Sequence, residues 1–117
     1  VATPENAIAE GPEAGSDGDV LTLDRVRAAA RFLEGRVRRT AVEPSSGLSE
    51  IAGVPVFLKL ENLQETGSFK VRGAFTRLEE LSADERRRGV VTASAGNHGK
   101  AVAFVAKRLA IPARIFV

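Results

Sequence analysis

From residue 54 onward the chain alternates apolar, strand-like runs with helical patterns in the order β-α-β-α-β. No other feature of the sequence restricts the fold as much. Residues 54–60 (VPVFLKL) are apolar and β-branched, which predicts a strand, with Pro55 tolerable near its start. Residues 61–67 form a polar loop. Residues 68–81 place Val71, Ala74, Phe75, Leu78 and Leu81 on one helical face. Ser82 followed by Glu85 matches a capping box that opens one more helical turn, ended by Gly89. Residues 90–93 read as a short buried strand. Residues 98–110 read as a helix with Val102, Val105, Ala106 and Leu109 inward. Beyond Pro112, residues 113–117 (ARIFV) read as a last strand. Near-continuously apolar strands in this alternation call for an α/β fold, a parallel sheet covered by helices on both faces. The last strand begins only five residues before the chain stops, and the first residue is Val rather than Met. The expectation is therefore the N-terminal part of a longer protein.

Ahead of this region the signals are weaker. Thr22 reads as an N-cap, with Val26, Ala29, Ala30 and Leu33 at helical spacing and Gly35 as a stop, predicting a helix over about 23–34. Residues 36–46 read as extended or loop, and a short helix is expected over 48–52, ending at Gly53. Residues 1–20 are rich in Gly, Pro, Ala and acids and hold few large apolar groups. They cannot bury enough surface to offset the entropy of ordering, so a disordered acidic tail is expected there.

Composition excludes several functions. Cysteine is absent and His98 is the only histidine, so disulfides and Cys- or His-rich metal sites are ruled out and no metal is expected. No apolar run approaches the roughly 20 residues of a membrane span, and no secretory signal is present, so a cytoplasmic protein without a membrane partner is expected. Five of the 15 acidic residues lie in residues 1–20. The remainder carries 17 basic against 10 acidic residues, a net +7. A basic body can attract phosphate-bearing partners. However, phenylalanine is the only aromatic residue, which argues against a base-stacking surface, and Arg86-Arg87-Arg88 is too short a run to indicate nucleic-acid binding.

Two stretches carry chemistry. In Thr66-Gly67-Ser68-Phe69-Lys70-Val71-Arg72-Gly73-Ala74 a lysine stands at the mouth of a helix, with Ser68 as the expected N-cap. The positive end of the helix dipole favours the neutral amine, which is the form that attacks an aldehyde to make a Schiff base. Glycines at 67 and 73 would let a backbone or a flat ligand approach, and Phe69 could cover one face of that ligand. The same residues also read as a solvated lysine at a helix start. The second stretch is Ser94-Ala95-Gly96-Asn97-His98-Gly99, between a strand and a helix. Consecutive backbone N–H groups there make an anion site for a carboxylate or phosphate. An ordinary turn capped by Asn97 is the competing reading. His98 lacks a second histidine or an evident acidic partner, so a positioning role is preferred over general base, with a purely structural histidine as the alternative. Residues 94–101 (SAGNHGKA) narrowly miss the nucleoside-triphosphate loop pattern. Ser94 replaces its first glycine and Ala101 its magnesium-binding hydroxyl, so nucleotide hydrolysis is set aside.

Together, Lys59-Leu60-Glu61-Asn62-Leu63-Gln64, Thr66-Gly67-Ser68-Phe69-Lys70, Arg72-Gly73-Ala74 and Ser94-Ala95-Gly96-Asn97-His98-Gly99 resemble the fold-type II pyridoxal-phosphate enzymes, specifically the threonine dehydratase and serine racemase group. The resemblance runs from about residue 21 to 117. It implies a tryptophan synthase β-like fold, with a large-domain segment over about 21–80 and the start of a small domain over about 81–117. It implies that pyridoxal 5'-phosphate is held by Lys70 through a Schiff base, that Phe69 flanks the cofactor ring, and that Asn97 meets the ring hydroxyl oxygen. Ser94 and the backbone of Ala95, Gly96, Asn97 and His98 would clamp the substrate carboxylate. The implied reaction is α,β-elimination from threonine or serine to a 2-oxo acid and ammonia. Racemases of the group resemble Ser-Ser-Gly-Asn-His, whereas this chain has Ala95 at the second serine, so dehydratase is favoured. Val71-Arg72 stands where cysteine and threonine synthases show Asp-Arg. Two departures are Ala41, where proline is usual, and Lys100, where glutamine is common. The phosphate-binding loop and the pyridine-nitrogen partner are expected beyond Val117. A chain inactive alone and a homo-oligomer at full length are therefore expected. The alternative is a truncated, non-catalytic homologue that acts as a binding or pairing module.

Overall fold

The computed structural model describes residues 21–117, so the expected tail at 1–20 lies outside the described residues. Helix α1, Leu23–Leu33, starts at Thr22, whose hydroxyl accepts from Arg25 N at 3.2 Å. Strand β1, Val42–Pro44, is followed by α2, Ser46–Ala52, which closes on Gly53. Strand β2, Phe57–Lys59, leads into a 3-10 turn at Glu61–Leu63 and then α3, Lys70–Glu79. Helix α4, Ala83–Arg88, carries the expected capping box: the Ser82 hydroxyl accepts from Glu85 N, and Glu85 accepts from Ser82 N at 2.8 Å. Strand β3, Val90–Ala93, helix α5, Asn97–Arg108, and strand β4, Ala113–Phe116, complete the order.

The strands form two separate pairs rather than one parallel sheet. β3 and β4 pair in parallel across α5, as expected. β2 instead pairs antiparallel with β1, with Val42 opposite Lys59 and Pro44 opposite Phe57. The difference arises at β1. Val-Glu-Pro offers one apolar side chain and a proline, so residues 42–44 read only as extended or loop, yet they supply the backbone edge that β2 uses. The strands are also more open than their composition implies. All of β2 is exposed and β3 alternates half-buried with exposed, because within residues 21–117 the core lies between helices.

That core is built on α3 against α5, the most extensive helix pairing in the structure. Val71, Ala74, Phe75 and Leu78 come from α3; Ala101, Val105 and Ala106 come from α5; Ile111 closes one end. Phe75 meets Phe104 edge to face, with ring centroids 6.4 Å apart. Helical spacing selects Val71, Ala74, Phe75, Leu78, Val105 and Ala106 among these; it does not select Ala101 and Ile111, and the selected Leu81 and Leu109 are only partly buried. Helix α1 departs from expectation. Of its four expected inward residues only Leu33 is buried, together with Phe32. Val26, Ala29 and Ala30 line a cavity of about 510 Å³ between α1 and α3. Arg86 accounts for the end of α3: its guanidinium donates to Glu79 O at 2.7 Å and to Leu81 O at 3.1 Å, placing positive charge where the helix exposes carbonyls.

Phe75→Ala is expected to cost about 3–5 kcal/mol in urea unfolding, because it removes a buried ring from the α3–α5 contact. Ile51→Ala, at a position 85% exposed, is expected to stay within about 0.5 kcal/mol.

Candidate active site

Lys70 and Asn97 are the first residues of α3 and α5, the two helices that form the core. Their helix starts differ from the rest. Thr22, Ser45 and Ser82 cap α1, α2 and α4 with side-chain oxygens, whereas α3 and α5 have no side-chain cap bond. Ser68 is therefore not the N-cap that spacing suggested. Phe69 holds that position, and the buried Ser68 hydroxyl accepts weakly from Lys70 N at 3.4 Å. Asn97 does not cap α5 either; the N-cap is Gly96. Apart from that bond to Lys70 N, no side chain among the described residues accepts from a first-turn N–H group of α3 or α5, the arrangement in which an anion is favoured.

The Lys70 amine is exposed and makes no hydrogen bond or ion pair among the described residues. Its Nζ stands 5.1 Å from the centroid of the Phe69 ring, which is itself 59% exposed. Gly67, with φ of +74°, supplies the left-handed turn that a side chain would disfavour. At Gly73 nothing lies within 4 Å of where a β-carbon would stand, so no neighbouring backbone explains that glycine.

The loop between β3 and α5 is held at both ends. Ser94 N donates to Phe116 O at 2.8 Å, and Gly96 N donates to Ser94 Oγ at 3.3 Å. Gly99 lets α5 sit tight against the strands. A β-carbon there would fall 2.4 Å from Ser94 O and 3.2 Å from Ile115 Cγ2. Ala95, Gly96, Asn97 and His98 are exposed and Ser94 is half-buried. His98 has no hydrogen-bond or ion-pair partner among the described residues, so no carboxylate orients it. No hydrogen bond or ion pair joins Lys70 to residues 94–98. They are linked through the packing of the helices they open.

Sequence reasoning assigned no task to Glu61, Gln64 or Arg72, and the structure makes them the support of the lysine loop. Arg72 grips Glu61 with both arms, Nε to Oε2 at 2.9 Å and Nη2 to Oε1 at 2.7 Å. Thr40 Oγ1 donates to the same carboxylate at 2.5 Å. Gln64, 4% exposed, accepts from Arg38 N at 2.9 Å and donates to Arg38 O at 2.8 Å. Arg72 Nη2 also reaches Arg38 O at 3.2 Å. The paired Arg72 guanidinium holds the Glu61 carboxyl down at about 2, against its burial, with Thr40 adding a smaller lowering. Glu61 in turn raises Arg72. A Glu and an Arg eleven residues apart across a polar loop carry no periodic signal, so only the folded loop could show the pair.

The cavity between α1 and α3 and a second of about 420 Å³ beside Arg38, Arg39 and Lys59 both lie away from Lys70 and residues 94–98.

The family model for pyridoxal-phosphate dependent enzymes matches residues 33–117. The chain belongs to that family. It is 52% identical to an L-threonine ammonia-lyase of Thermotoga maritima over 96 residues, covering 82% of this chain and 24% of that one. The crystal structure of serine racemase from Dictyostelium discoideum superposes with a TM-score of 0.74 at 38% identity, covering 81% of this chain and 31% of that one. The crystal structure of a T.th. threonine deaminase superposes with a TM-score of 0.67 at 36% identity, covering 80% and 33%. These likenesses show the α/β architecture to be that of fold-type II pyridoxal-phosphate enzymes. The chain spans about a quarter to a third of the length of these relatives. No helix among the described residues is long and apolar enough to cross a membrane.

The donor set fits the family's cofactor. It offers an amine without a competing partner, an aromatic ring beside it, an exposed Asn amide at a helix start, and the buried Thr66 hydroxyl without a hydrogen-bond partner among the described residues.

The Glu61 contribution to stability has a defined pH window. Its folded value is depressed to about 2 from 4.5, so the stabilisation is fully present above pH 4.5. Below that, the unfolded state takes up its proton first, and the contribution fades towards pH 2. Glu61→Gln is expected to cost about 2–3 kcal/mol at pH 7. The gap to the parent chain should close as pH falls from 4.5 to 2, read by urea unfolding at each pH.

Proposed function

We propose that Lys70 is the amine that binds pyridoxal 5'-phosphate and moves the α-proton of a small β-hydroxy amino acid, threonine or serine, in an ammonia-lyase (dehydratase) reaction. The observation that carries this reading is the pairing of two uncapped helix starts. Lys70 opens one and Asn97 the other, and the Lys70 amine makes no hydrogen bond or ion pair among the described residues. The cofactor supplies the electron sink that makes the α-proton removable.

The chain's own residues supply position and charge. Phe69 covers one face of a planar ring. The Asn97 amide is a donor for a ring oxygen. Ser94 and the N–H groups of residues 95–98 receive the substrate carboxylate at the positive end of α5. The Lys70 amine takes the proton from the α-carbon, the β-hydroxyl leaves as water, and the freed enamine hydrolyses to a 2-oxo acid and ammonia. Ala95 favours elimination over racemisation, since its methyl group cannot return a proton from the opposite face. By resemblance, the proposal extends to a cytoplasmic, homo-oligomeric enzyme of amino-acid metabolism.

Incubation with pyridoxal phosphate and reduction with borohydride is expected to place a pyridoxyl group on Lys70 in preference to Lys59, Lys100 and Lys107. Lys70→Ala should abolish that label. A folded chain that takes no label at Lys70 would instead support a non-catalytic binding module. Residues 1–117 alone are expected to yield no 2-oxobutanoate from threonine, checked by a coupled reductase assay. Measurable product would show that this segment carries a complete site.

A further inference from the structure

We infer that Glu61 is a positioning residue for Lys70, acting through Arg72 and the first turn of α3. The inference rests on the reading of Lys70 given above and adds to it the element that holds the lysine in place.

Lys70, Val71 and Arg72 form the first turn of α3. The N-cap of that turn, Phe69, offers no side-chain oxygen, and the one local side-chain bond, Lys70 N to Ser68 Oγ at 3.4 Å, reaches only the first N–H group. Longer-range contacts add to it in fixing the direction of the turn. Val71, with no exposed surface, anchors one side in the apolar core. On the other side the anchor is polar, the two-armed bond from Arg72 to Glu61. Glu61 is itself held by Thr40, whose carbonyl accepts from Lys59 Nζ at 2.5 Å. Its side chain is only 14% exposed, so water replaces these bonds poorly.

The residues between the two anchors are tethered as well. Gln64 is bonded to both backbone groups of Arg38, and its side-chain oxygen also accepts from Glu65 N at 3.0 Å. The segment from Glu65 to Phe69 therefore runs between a fixed start at Gln64 and a fixed end at Arg72. Lys70 projects from the far end of that span with its amine unpartnered. A carboxylate bonded to Arg72 and Thr40, and not to Lys70, thus decides where the amine sits.

This predicts a reactivity change separable from a stability change. In Glu61→Gln, one carboxylate oxygen becomes an amide NH₂ that cannot accept from Arg72, so the fork is lost while the shape is kept. In Arg72→Lys the charge remains but the planar two-armed bond does not. Each variant is titrated with pyridoxal phosphate at a temperature where circular dichroism shows it folded, then reduced and peptide-mapped. The readout is labelling of Lys70 relative to Lys107 in the same molecule. Both variants are expected to lower that ratio about tenfold, and the double variant should be no worse than the poorer single one. Glu85→Ala, which removes the reciprocal bond of the α4 capping box, should leave the ratio unchanged.

A folded Glu61→Gln chain that labels Lys70 as well as the parent would overturn the inference. So would an equal loss in Glu85→Ala, because general loosening would then explain the effect. If Glu61→Gln does not fold, Arg72→Lys decides with the same readout. Absence of Lys70 label in the parent chain would overturn the proposed function and this inference together. An undiminished label in the variants overturns the inference alone.

Discussion

The two-armed bond between Glu61 and Arg72 is the constraint on which the rest of the candidate site depends. It joins the 3-10 turn after β2 to the first turn of α3, and through Thr40 it reaches the segment that leads into β1. The β1–β2 pair contributes no buried residue to the main apolar cluster. This layer is therefore held to the helical core chiefly by charge and hydrogen bonding. Such an arrangement is directional, where apolar packing would tolerate sliding.

Directionality matters because the helix starts proposed to carry the chemistry have no cap from their own N-cap residues. A Ser, Thr or Asp cap contributes about 1 kcal/mol, and α1, α2 and α4 use one. α3 and α5 do not, and they are the helices that begin with Lys70 and Asn97. Their N–H groups remain available to a ligand, at a cost in local stability that the Phe75–Phe104 contact and the buried Val71 and Val105 offset. Gly99 belongs to the same design, since only a residue without a side chain lets α5 close on Ser94 and Ile115.

Much of the fold was legible in the sequence because its signals are local. The inward faces of α3 and α5 follow from 3.6-residue spacing, and the Ser82–Glu85 capping box and the stops at Gly53 and Gly89 from residue chemistry. The misreadings share a cause. Val26, Ala29 and Ala30 have helical spacing but line a cavity, and β1 has no strand composition but pairs with β2. In each case the outcome depends on what lies opposite, and periodicity does not report that.

The sequence by itself determined which residue types stand at the proposed reacting positions. Lys70 between Gly67 and Gly73, and the run from Ser94 to Gly99, are chemical signatures readable without coordinates, as is the family to which they point. Only the tertiary structure decided how those residues are held. An N-cap at Ser68 was expected and Phe69 holds the cap position instead, while Glu61, Gln64 and Arg72 had no assigned task and form the support. The physical reason is separation along the chain. A hydrogen bond between Arg72 and Glu61, or between Gln64 and Arg38, closes loops of 11 and 26 residues. Partners chosen at that distance are set by the folded backbone rather than by any pattern in the residues between them.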